Sequence, residues 1–160
     1  MKKLATALIA AVLLGTVGVG AALAAELKVP AKETAPVQKL DSAGIAGTAA
    51  EVQAAMAEPS AVKYKVLVVT DSLPEDRTAY LDRVLADWGW PASNELLLVV
   101  FTQGNNDVRF AMGADFWKKG VKVEEMVDYI HNTYVPELRK GDPGKALAAF
   151  MRVVNKRMAQ

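Results

Sequence analysis

The chain has no cysteine, a single histidine and no glycine-rich phosphate loop. Without cysteine there are no disulfides, no thiolate zinc sites and no lipid-modified cysteine behind a leader. His131 is alone among polar neighbours, which removes a Ser-His-Asp triad and a multi-histidine metal site. The glycines near the N-terminus follow no strand pattern, so they are not a nucleotide-binding loop. A charge excess of one sign is missing too. The formal net charge is +1, and leaving out Lys2 and Lys3 turns it to −1, which gives no basic footprint for nucleic acid. Apart from one N-terminal stretch, no apolar run approaches the length that spans a bilayer.

What is present begins with that stretch. Lys2 and Lys3 precede an apolar run from Leu4 to Leu23, and Ala22-Leu23-Ala24 has the small-x-small form of a cleavage site, followed by Glu26 and Lys28. This is the pattern of a signal peptide. Cleavage after Ala24 gives a periplasmic or secreted protein with no membrane span in the mature chain; a retained N-terminal membrane anchor is the alternative. The length of 160 residues suits one domain behind a leader, and 52% hydrophobic residues suit a packed core. Residues 1–24 read as signal peptide, 25–40 as a linker with Pro30 and Pro36 and no periodicity, and 41–158 as the domain. No heptad pattern indicates an oligomer, so a monomer is the default.

Thr48 and Glu51 have the spacing of a capping box for a first helix with Val52, Ala55 and Met56 on one face. Lys63 to Thr70 reads as a buried strand. Pro74, Glu75 and Asp76 open a second helix carrying Leu81, Val84, Leu85 and Trp88, with Gly89 as its stop. Leu96 to Phe101 is a second buried strand. Strand, helix and strand at this spacing make a βαβ unit with parallel strands and a right-handed crossover. Asn105-Asn106 turn the chain into Asp107 to Met112, whose alternation predicts an antiparallel partner. A third helix carries Val123, Met126, Val127, Ile130 and Tyr134 before Pro136. Asp142-Pro143 start a fourth, with Leu147, Phe150, Met151 and Val154 inward. The fold class is α/β: a three-layer α/β/α sandwich on a small mixed sheet, with helices on both faces.

This layout sends Asp41, Asp71, Asp76, Asp107 and Asp142, with Asn105 and Asn106, to one end of the sheet. Ligands of open α/β sheets bind there, beyond the carboxyl ends of parallel strands. Clustered carboxylates repel unless a cation or protons neutralise them. An oxygen-only set suits a hard cation, calcium with about 6–8 ligands or magnesium with fewer. The same residues also serve local structure: Asp142 is a natural helix cap, and Asn105 to Asp107 is ordinary turn chemistry. Asp71-Ser72-Leu73 follows a strand as an aspartyl-phosphate nucleophile does, but Leu73 stands where such phosphatases have a second aspartate. Trp88-Gly89-Trp90 reads as core and turn packing.

In order and spacing these segments resemble the TPM domain family over about residues 37–158. The resemblance rests on Asp41-x-x-Gly44, on VVTDSLPED (Val68 to Asp76) with Tyr80, and on Trp88-Gly89 with Asn94 before LLLVV. The VRFAMG strand and Val135-Pro136-x-Leu138-Arg139-x-Gly141-Asp142 complete it. It implies an α/β/α sandwich outside the cytoplasm and a divalent cation at an acidic site, usually calcium. It also implies weak phosphatase activity in some members and roles in upkeep of membrane complexes. The sequence departs from the family at Pro91-Ala92-Ser93 and Glu95, and after the third strand, where Asp115-Phe116-Trp117 follow a lone Gly113.

The expectation is therefore an exported module binding a divalent cation (calcium, with magnesium or manganese as alternatives) through Asp41, Asp71, Asp76, Asn105, Asp107 and Asp142. It would act by contact with an envelope or membrane protein. The alternative is a metal-dependent phosphatase in the same acidic pocket. The plainest reading is a structural domain with no ligand.

Overall fold

The computed structural model describes residues 27–39, 46–70, 76–103 and 106–160. Among these, four strands form one sheet in the order β1-β2-β3-β4: β1 (Val37–Lys39), β2 (Lys63–Val69), β3 (Glu95–Phe101) and β4 (Asp107–Met112). β1 pairs with β2 and β2 with β3 in parallel, and β4 returns antiparallel to β3. The helices are α1 (Ala46–Ala57), α2 (Arg77–Trp88), α3 (Ala114–Lys118), α4 (Val123–Tyr129), a π-turn (Ile130–Tyr134), α5 (Val135–Leu138) and α6 (Pro143–Met158).

Strand periodicity divides the core. Val66, Val68, Leu96, Leu98 and Val100 point to the face covered by α1, α4 and α6, where they meet Val52, Met126, Leu147, Phe150 and Met151. Leu67, Val69, Leu97, Val99 and Phe101 point to the other face, against Tyr80, Leu81 and Val84 of α2. There the Tyr80 and Phe101 rings meet edge to face at 5.8 Å. Both faces of β2 and β3 are buried, which is why these strands read as continuous apolar runs. Truncating a residue such as Leu98 to Ala costs about 2–5 kcal/mol at sites of this kind. The architecture is the expected three-layer α/β sandwich. The chain steps the same way across the sheet from β1 to β3 while α1 and α2 cover opposite faces. The two crossovers therefore have opposite hands, and only one can obey the right-handed preference.

Four local expectations need correction. The segment read as a linker is part of the fold: Val29 is buried in the α2 face, and Val37–Lys39 forms β1. Three side chains hold this strap by its backbone carbonyls. Trp88 Nε1 donates to Pro30 (2.6 Å), Arg83 to Leu27 (2.8 Å), and Lys65 Nζ to Glu33 (2.9 Å) and Ala35. Lys65 is buried, lies 5.5 Å from the Trp88 ring centroid, and has its pKa lowered by desolvation. A strap tied by distant side chains leaves no periodic trace in its own sequence. The first helix starts at Ala46, so Thr48 lies inside it and is not its cap.

Pro136 lies within the helical run, in α5, and does not end it. Proline has no N–H to continue the ordinary ladder, and the turn before it is a π-turn in which Val135 N–H donates to the Ile130 carbonyl. Met126 and Tyr134 are buried, while Val123 and Val127, expected on the same face, are exposed. Finally, Trp88 packs as expected, but Trp90 is 64% exposed and only its Nε1 is held, by the Met112 carbonyl (3.0 Å).

Candidate functional site

β2 and β3 are parallel, so Val69 and Phe101 finish at the same end of the sheet, and β4 begins there with Asp107 opposite Phe101. The first residue of α2 reaches this end. Arg77 donates to Asp107 Oδ2 (3.0 Å) and to the Gln103 carbonyl (2.9 Å). From the other face, Tyr134 of the π-turn donates its hydroxyl to the Asn106 carbonyl (2.5 Å). Burial raises the Tyr134 pKa, and the nearby Asp107 adds to the shift, so the phenol stays a donor at neutral pH. Between these elements lies a pocket of about 740 Å³ lined by Arg77, Asn106, Asp107, Ile130, Tyr134, Val135, Leu138, Arg139, Gly141 and Pro143.

Three of the six residues expected to hold a cation can be placed, and each already has work. Asp76 caps α2: its Oδ1 accepts from Thr78 N–H (2.7 Å) and Ala79 N–H (3.3 Å), and these bonds lower its pKa. Asp142 caps α6 through Lys145 N–H (3.0 Å), which lowers its pKa likewise, and Lys145 Nζ stands 3.4 Å from its Oδ2. Asp107 uses both oxygens. Oδ2 lies between Arg77 (3.0 Å) and Arg109 (2.6 Å), and Oδ1 accepts from Val108 N–H (2.9 Å). Asp41, Asp71 and Asn105 lie outside the described residues.

The described carboxylates do not form a cation cage by themselves. Among the described residues no three histidine, cysteine, aspartate or glutamate side chains come together for one. His131 is exposed, as its polar neighbours suggested.

What counting acids overlooked is the arginines. Arg77 and Arg109 neutralise Asp107, and Arg139 stands at the pocket without a side-chain partner among the described residues. The signal was legible: Arg77 follows Asp76 directly, and Arg109 lies two residues beyond Asp107, on the same face of β4. A pocket with two guanidiniums and one shared carboxylate is suited chemically to an anion as well as to a cation bound at its edge.

Residues 46–157, from the start of α1 almost to the end of α6, match the TPM domain. This chain belongs to the TPM domain family. Its TPM domain is similar in fold to the N-terminal domain of a protein from P. gingivalis, solved by solution NMR. The two share 20% identity at a TM-score of 0.55, over 76% of this chain and 80% of that one. No curated protein matches the chain. The TPM match begins at α1, so the strap and β1 precede it.

Proposed function

We propose that this protein is an exported TPM module that binds a divalent cation, calcium before magnesium or manganese, at the carboxyl end of β2 and β3. It acts by contact with an envelope or membrane protein. The observation that carries this reading is that Asp76 caps α2, Asp107 starts β4 and Asp142 caps α6, where Arg77, Asp107, Gly141 and Pro143 border one pocket. In sequence, Asp71 and Asn105 fall in the segments that follow β2 and β3. Asp41 and Asp71 are the ligands with most to contribute, because the caps and the Arg77–Asp107–Arg109 group hold the other acids. The leader with its Ala22-Leu23-Ala24 site supports export.

Thermal melting with calcium and with chelator tests the cation. Saturable binding raises the melting temperature with the logarithm of calcium concentration, and Asp71→Asn abolishes the rise without unfolding the protein. An unchanged melt with all three cations ends this reading.

A second reading, a metal-dependent phosphatase, is favoured by the two arginines on the pocket, which suit a phosphoryl group. Cation-dependent turnover of a phosphate monoester, lost in Asp71→Asn with the fold intact, would establish it. A purified protein with no turnover leaves the binding module.

A further inference from the structure

The pocket at the carboxyl end is divided in character. One wall, from the π-turn and α5, is apolar: Ile130, Val135 and Leu138, which back onto the core formed with α6. The π-turn makes this wall. Its wider turn, closed by the bond from Val135 N–H to the Ile130 carbonyl, changes the helical register just before α5. The rim carries Arg139, one residue beyond Leu138. Its backbone N–H continues the helix to the Val135 carbonyl, but its guanidinium has no hydrogen bond or ion pair among the described residues. Opposite stands Arg77, already committed to Asp107 and the Gln103 carbonyl. The charged residues lining the pocket are two arginines and one aspartate, and that aspartate is shared with Arg109 outside it. Among the described residues the lining is therefore net positive, in a chain whose overall charge is close to zero.

We infer that this pocket captures the C-terminal end of a partner polypeptide: Arg139 takes the free α-carboxylate, and the Ile130–Val135–Leu138 wall takes the aliphatic side chain of the last residue. A planar guanidinium whose side-chain donors have no partner among the described residues matches a carboxylate in a bidentate pair. An inorganic anion or a bare phosphoryl group uses the arginine and leaves the apolar wall idle. A long acyl chain needs more wall than three side chains offer. A terminal carboxylate next to one aliphatic side chain uses both, and capture of a C-terminal carboxylate is a recurring mode of peptide recognition. The inference rests on the protein-contact part of the proposed function and not on the cation.

The test uses the full chain, purified as its expression host delivers it. The probe is a fluorescein-labelled hexapeptide pool, random at the first four positions and ending in Val-Leu, read by fluorescence anisotropy. The pool is made once with a free C-terminus and once as the amide, and each is titrated with chelator and with calcium. The expected result is saturable binding of the acid pool, weakened about tenfold or more by amidation and by Arg139→Gln, with Arg139→Lys in between. Arg139 has no side-chain partner among the described residues to lose, so an unchanged melting temperature for Arg139→Gln is expected and certifies its fold. Equal binding of acid and amide, full binding by Arg139→Gln, or no binding of either pool overturns the inference. Peptide binding that persists under chelator, in a protein whose melt ignores calcium, overturns the cation reading alone. Calcium-stabilised protein that ignores both pools overturns only the peptide inference.

Discussion

The two ends of one sheet are built differently. At the amino end of β3 the backbone is closed on itself. Lys63 N–H donates to Asn94 (2.9 Å), Glu95 to Ala92 (2.9 Å), Gly113 to Glu95 (2.9 Å) and Asp115 to Ser93 (2.7 Å). Gly113 sits so close to the Ala92–Ser93 turn that a Cβ there would lie 1.9 Å from the Ala92 carbonyl oxygen. At the carboxyl end the contacts are made by side chains: Arg77 on Asp107 and Gln103, Arg109 on Asp107, Tyr134 on Asn106, with a pocket between them. A closed backbone gives strength, and the pocket of about 780 Å³ beside it, lined by Lys32, Met56, Lys63, Tyr64, Lys65 and Glu95, is framed by fixed strand starts. Side chains that bridge elements can exchange one partner for another, which is why the proposed ligand site is set at the second end.

Substitutions should separate the ends by size of effect. Gly113→Ala is the largest: the added methyl meets backbone, which cannot give way, and the cost should be about 3 kcal/mol or more in urea unfolding. A loss below about 1 kcal/mol would mean that this end is looser than described. At the other end, Tyr134→Phe removes the bond to the Asn106 carbonyl in a buried setting and should cost about 1 kcal/mol, with the pocket's binding weakened more than the fold.

Asp107→Asn removes the charge between Arg77 and Arg109. The pairs are partly exposed, so the loss should be only about 1 kcal/mol and should shrink as salt is raised. A salt-independent loss would mean that hydrogen bonding, not charge, joins the three. The smallest effects are the two caps. Their pKa values are lower in the folded state, so the stability they give is fully present above the ordinary aspartate range and disappears as pH falls through the lowered values. Asp76→Asn and Asp142→Asn should each flatten the acid limb of a stability–pH curve below about pH 4 and leave its neutral part nearly unchanged.

The sheet and its faces were legible in the sequence because burial on two sides writes a continuous apolar run and a helix face writes a repeat of three and four. Leu81 and Val84 on α2, and Leu147, Phe150, Met151 and Val154 on α6, are buried as their spacing required. The strap was not legible, since Lys65, Arg83 and Trp88 tie its carbonyls from elsewhere in the chain. Nor was the π-turn, because Pro136 looks the same whether it ends a helix or is accommodated in one. At the candidate site the acids could be counted but not all of their partners. Arg109 stands two residues along the same strand and could be read. Whether Asp107 is a free ligand or the middle of an arginine pair also depends on the packing of α2 that brings Arg77 to it. The arginines turn an apparently acidic end into one of mixed charge.

The most direct test of the division between the ends is a calcium titration followed by backbone amide shifts in NMR. Changes should gather on Asp76 to Thr78, on Asn106 and Asp107, and on Gly141 to Lys145, and leave Ala92 to Glu95 and Gly113 still. Changes centred on the Gly113 end, or spread evenly over the sheet, would contradict the assignment of ligand binding to the carboxyl end.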